Sequence, residues 1–171
     1  MKNFILPVLV CLFSISILQA QDVQFGVTAG YIQGFYTLEL NGQDLSPDGS
    51  GGFQVGGLVD IGISDAFHLQ PEVLYININD GSGLLVPLMA KYYFGENFNI
   101  QGGPMFDFAL EEIPEDYTSL GISAALGFGY DFTENWFAQS RFGFQLNDYY
   151  NGDADISSKS NILTVGVGYK F

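Results

Sequence analysis

Residues 161–171, NILTVGVGYKF, decide how the rest of the chain is read. Leu163, Val165, Val167, Tyr169 and Phe171 are apolar or aromatic, and Thr164, Gly166, Gly168 and Lys170 between them are small or polar. Strict period-two alternation marks a strand with two unlike faces. The apolar face must meet either a protein core or lipid.

The same pattern recurs upstream in residues 24–35, 52–63, 67–78, 85–94, 98–109, 120–132 and 136–146. In the first, Phe25, Val27, Ala29 and Tyr31 oppose Gln24, Gly26, Thr28 and Gly30; in the fifth, Phe98, Ile100, Phe106 and Phe108 oppose Asn99, Gln101, Gly103 and Asp107. Like faces must meet across each hairpin. That parity predicts three-residue turns at Ser64-Asp65-Ala66, Gly95-Glu96-Asn97 and Thr133-Glu134-Asn135, with Asn97 and Asn135 in the left-handed position that asparagine tolerates. The connections 36–51, 79–84, 110–119 and 147–160 are longer and polar. Short turns at one end and long loops at the other describe an eight-strand meander, closed by pairing the last strand with the first, which removes both edges.

A secreted cup would bury the apolar face inside, whereas a membrane barrel turns it outward. The apolar faces carry no charge, and glycine dominates the other face, as suits a lumen only wide enough for side chains. Aromatics gather in two bands. Phe67, Tyr92, Phe94, Phe98, Tyr130, Phe132, Trp136, Tyr169 and Phe171 lie near the short turns, and Tyr31, Phe53, Tyr75, Phe106, Phe108 and Phe144 near the long loops. Such bands are interfacial girdles. The fold expected is an all-β, eight-stranded antiparallel up-and-down transmembrane β-barrel.

The 171 residues suffice for one domain. Lys2, an apolar run over residues 4–18 and Gln19-Ala20 read as a cleaved secretory signal peptide over 1–20, leaving the barrel as 21–171. Cys11, the single cysteine, lies in that leader, so no disulfide, thiolate nucleophile or cysteine-bound metal is available to the barrel. Removing Lys2 takes the net charge of −14 to −15. Only Lys91, Arg141, Lys159 and Lys170 remain as cations, which excludes nucleic acid as a partner.

Several motifs resemble the small outer-membrane β-barrel family of the Bacteroidetes, the PorT-like group: residues 68–75 (HLQPEVLY), 86–94 (VPLMAKYYF), 101–104 (QGGP) and 168–171 (GYKF). The resemblance covers essentially the whole barrel. It implies residence in the cell outer membrane among lipid and lipopolysaccharide, both termini periplasmic, after escort by periplasmic chaperones. It also implies insertion by the outer-membrane assembly machinery, with Tyr169 and Phe171 as the assembly signal.

Inward charges are Asp60, Glu72, Lys91, Asp107, Asp131, Arg141 and Lys170. A turn over 79–84 sets Glu72 opposite Lys91, and with Asp60 and Arg141 at similar depth these four predict an ion-pair network that fills the lumen. The alternative is a narrow porin-like channel for ions or small solutes. His68, the one histidine, falls beside a short turn, far from the loops where a lipid-modifying enzyme of this size would place its catalytic groups. No catalytic residue, cofactor or metal is expected. The long loops hold Glu39, Asp44, Asp48, Asp80, Glu111, Glu112, Glu115, Asp116, Asp148, Asp153 and Asp155, eleven of nineteen carboxylates, with Lys159 their only neighbouring cation. They suit a solvated rim, divalent-cation bridging to lipopolysaccharide, or an extracellular or envelope partner, secretion association included. The 148–155 segment has the oxygen-rich composition of a calcium loop without its spacing.

Overall fold

The computed structural model describes residues 22–40, 43–44, 49–79, 81–114, 116–150, 152 and 156–171. The leader expected over 1–20 lies outside the described residues, as do Asp48, Asp80, Glu115, Asp153 and Asp155 of the loops. Every described element is a strand: β1 Asp22–Leu40, β2 Gln43–Asp44, β3 Ser50–Ser64, β4 Phe67–Ile78, β5 Gly81–Phe94, β6 Phe98–Ala109, β7 Leu120–Asp131, β8 Trp136–Gln145 and β9 Ile156–Lys170. Each neighbour pair is antiparallel, and β9 returns to pair with β1 from Gly26↔Lys170 to Leu40↔Ile156. The two-residue β2 only folds back on the far end of β1, so the closed wall has eight strands.

Because successive side chains leave a strand on opposite sides, the alternation becomes two surfaces. Phe25, Val27, Leu126, Phe128, Trp136, Val165 and Val167 are exposed on the outside, and Thr28, Gln54, Gln70, Gln101, Gln139 and Thr164 are buried inside. At the short-turn rim the outward rings meet edge to face, Tyr92 with Phe94, Tyr130 with Phe132, and Trp136 with Tyr169.

The structure departs from the sequence expectations mainly at the turns. β1 and β9 run past the barrel wall, to Leu40 and from Ile156, where 36–51 and 147–160 read as loops. The 79–84 connection contracts to residues 79–80, since Asn79 takes a left-handed φ of 47° and Gly81-Ser82-Gly83 joins β5. The β4–β5 register is thereby four residues from the expected one: His68, not Glu72, stands opposite Lys91. A bulge between Gly62 and Ser64 leaves Asp65-Ala66 as the turn between β3 and β4. In the 95–97 turn Gly95, with φ 74°, takes the left-handed position instead of Asn97. Asn97 and Asn135 act through their side chains, whose Nδ2 groups donate to the ends of neighbouring strands at Asp131 O (2.7 Å) and Lys170 O (2.8 Å).

Candidate functional site: the barrel lumen

The lumen is layered along its axis. At the short-turn end, β3, β4, β5, β7, β8 and β9 contribute Asp60, His68, Lys91, Asp131, Phe137 and Lys170. Lys91 Nζ lies 2.9 Å from Asp60 Oδ2, and His68 Nδ1 2.6 Å from Asp60 Oδ1. Lys170 Nζ pairs with Asp131 Oδ2 at 2.9 Å and lies 3.8 Å from Asp60, while the Tyr93 hydroxyl donates to Asp131 at 3.1 Å. The buried ring of Phe137 sits 5.9 Å from both ammonium groups, within cation–π reach. Gly168 makes room for it, since a Cβ there would lie 2.2 Å from the ring.

Above this layer Arg141 and Glu72 form an ion pair at 2.5 Å. Arg141 Nε also donates to Gln101 Oε1 (2.6 Å), and its Nη2 to Gln139 Oε1 (2.9 Å). Gln70 joins the layers, accepting from Lys91 Nζ at 2.8 Å and donating to Glu72 Oε1 at 2.5 Å. The structure thus brings Asp60, Glu72, Lys91 and Arg141 into one connected system, each at most 2% exposed. The direct Glu72–Lys91 pair expected from the longer turn does not form; each takes another partner, and Gln70 lies between them. Parity had already turned Gln70, Gln101 and Gln139 inward. An amide both donates and accepts, so it can complete the bonding of buried charges, which was the signal for them in the sequence. Phe137 shares their parity and is the one aromatic on the inward face of β8, where Gln139, Arg141, Gly143 and Gln145 follow it.

Further toward the loops, Ile32, Leu74, Leu85, Met89, Met105 and Ile162 close the lumen with a buried apolar layer. Over it lies a cavity of about 340 Å³, bordered by Ile76, Ile113, Tyr117, Ile162, Asp107 and Tyr149. The Tyr149 hydroxyl donates to Asp107 Oδ2 at 2.5 Å. Burial and then the Asp107 carboxylate push the Tyr149 hydroxyl well above its ordinary pKa, so it remains a donor. The Asp107 carboxylate occupies the space over Gly121, where a Cβ would fall 2.2 Å from Oδ1.

Other candidates from the sequence are dispersed. His68 lies with Asp60 at the short-turn end. Asp148 of the acidic 148–155 segment accepts from the Ser158 amide at 2.7 Å and lies 3.8 Å from Lys159, while Asp153 and Asp155 are outside the described residues. Tyr169 and Phe171 form an edge-to-face pair at 5.6 Å on the outer surface, and the Phe171 amide donates to Phe25 O at 2.8 Å.

A family model described as the outer membrane protein beta-barrel domain matches residues 6–171. The chain belongs to this family. It is an outer-membrane barrel, and the exposed apolar band is its lipid-facing surface. Among solved structures, the barrel is similar to Neisserial surface protein A, with 15% identity and a TM-score of 0.52 over 88% of this chain and 99% of that one. It is likewise similar to Ail, the attachment invasion locus protein of Yersinia pestis, with 12% identity and a TM-score of 0.52 over 88% and 99% of the two chains. Ail in complex with the heparin analogue sucrose octasulfate gives 13% identity and a TM-score of 0.51 over the same shares. At these identities the likeness is one of fold. No curated protein matches the chain.

Proposed function

We propose that this outer-membrane barrel is a closed envelope protein, with its lumen filled and its binding capacity at the loop end. The observation that carries this is the stack inside it: Lys91–Asp60 and Arg141–Glu72 joined through Gln70, beneath the apolar layer of Leu74, Leu85 and Met89. An aqueous path would have to break paired charges and wet an apolar constriction, and an eight-strand lumen has little room beyond its own side chains. A narrow channel for ions or small solutes is the competing function. A lipid-modifying enzyme is disfavoured by His68, which is held by Asp60 at the rim away from the loops.

Short turns at one end and long loops at the other support periplasmic termini and an outward-facing loop rim. The leader-like residues 1–20 support export, and the motifs quoted above support the PorT-like subgroup of the Bacteroidetes. A polysulfate such as the one held by Ail suits this chain poorly, because eleven of its nineteen carboxylates lie in the loops. Their charge favours a basic partner, or lipopolysaccharide bridged by divalent cations. Planar-bilayer recording tests the closed lumen. The wild-type barrel should show no steady conductance; steady openings that Lys91→Ala or Glu72→Ala abolishes would establish a path through the charged layer and overturn the proposal.

A further inference from the structure

We infer that the loop-end cavity binds a small cationic amphiphile, an apolar body carrying an amine that pairs with Asp107. This deepens the proposed function, since a lumen closed below makes the cavity a dead end where a ligand is held and not passed on.

The first support is the charge balance inside the barrel. Among the described residues, the inward cations are already committed: Lys91 to Asp60, Lys170 to Asp131 and Arg141 to Glu72. Lys159, at the rim, lies beside Asp148. Asp107 is the inward carboxylate left without a cation within 4.0 Å among the described residues, though it is 8% exposed. Tyr149 supplies a hydrogen bond but no charge. A buried carboxylate lacking a countercharge is costly, and a bound amine would remove that cost.

The second support is the shape and lining of the space Asp107 borders. A volume of about 340 Å³ falls at the small end of ligand pockets. Ile76, Ile113, Tyr117 and Ile162 give it apolar walls, and Ile76 and Ile162 also belong to the packed layer below. The polar end of a ligand is thus fixed at Asp107 and its body lies against the walls. The acidic loops act in the same direction, concentrating cations at the mouth and repelling anions.

Titration calorimetry of the full barrel, purified from outer membrane in nonionic micelles, tests this with three probes of one shape: 4-phenylbutylamine, 4-phenylbutanol and 4-phenylbutyrate. Heats from protein-free micelles are subtracted. The amine should bind saturably, one per barrel, roughly tenfold or more tighter than the alcohol, the scale of a hydrogen bond to a charged group. The carboxylate should not bind. Asp107→Asn, a near-isosteric change, should erase the preference of amine over alcohol. Equal binding of amine and alcohol to the wild type, no saturable binding of the amine, or a preference that survives in a folded Asp107→Asn barrel would each overturn the inference. The wild-type comparison holds even where the variant does not fold. A conducting lumen would contradict the proposed function while leaving amine binding intact, so the two failures are distinguishable.

Discussion

Gly168 illustrates how narrow the tolerance inside this barrel is. A Cβ there would meet the Phe137 ring at 2.2 Å, and that ring, 2% exposed, lies within cation–π reach of the ammonium groups of both Lys91 and Lys170. Alanine normally favours a strand more than glycine does, but overpacking an enclosed ring costs about 1–3 kcal/mol and should dominate. Gly168→Ala should lower the unfolding free energy, read by urea titration of the heat-modifiable folded band, by about that amount, and adding Phe137→Leu should recover part of it. A Gly168→Ala barrel as stable as the wild type would show that the ring has room to move. At this scale the sequence was half informative. Alternation alone turned Asp60, Glu72, Lys91 and Arg141 inward, because facing depends only on parity. It could not say which of them touch, because contact across a lumen depends on the register of every hairpin between them.

The β4–β5 hairpin is where the register departs from the one its composition predicts. Gly81-Ser82-Gly83 has turn composition, yet it is strand: a Cβ on Gly83 would approach Phe108 O to 2.8 Å and Ile76 Cγ1 to 3.2 Å, so glycine serves close packing there. Asn79, with φ 47°, makes the tighter turn. The resulting slip is an even number of residues, so every side chain keeps its face while each partner changes. Eight strands, closure and facing are therefore independent of the shift that changes the partner of Lys91. Left-handed backbone costs an ordinary residue roughly 1–2 kcal/mol. Both Asn79→Val and Asn79→Gly lose the 2.8 Å hydrogen bond from Asn79 Nδ2 to Ser50 Oγ, so valine should fall below glycine by about that much in urea titration. If valine is tolerated as well as glycine, the turn does not depend on that conformation.

For the molecule as a whole, the polar layers also fasten opposite walls. Glu72 on β4 and Arg141 on β8 face each other across the lumen, with four strand pairings between them around the wall. Neither charge meets bulk water, so removing one leaves the other buried with amides alone: Arg141 with Gln101 and Gln139, or Glu72 with Gln70 and Gln139. Breaking a buried pair in this way costs about 3–5 kcal/mol, whereas replacing both members with neutral groups leaves no isolated charge. Glu72→Gln and Arg141→Met should each lower stability by about that amount, and the double variant by much less than their sum. Folding titrations of the four barrels measure the coupling directly. Single losses no larger than ~1 kcal/mol, as for a pair in water, would mean that solvent reaches the layer. The lumen would then be wet at the depth where a closed barrel has to be dry, and the same variants in a planar bilayer would show whether that water forms a continuous path.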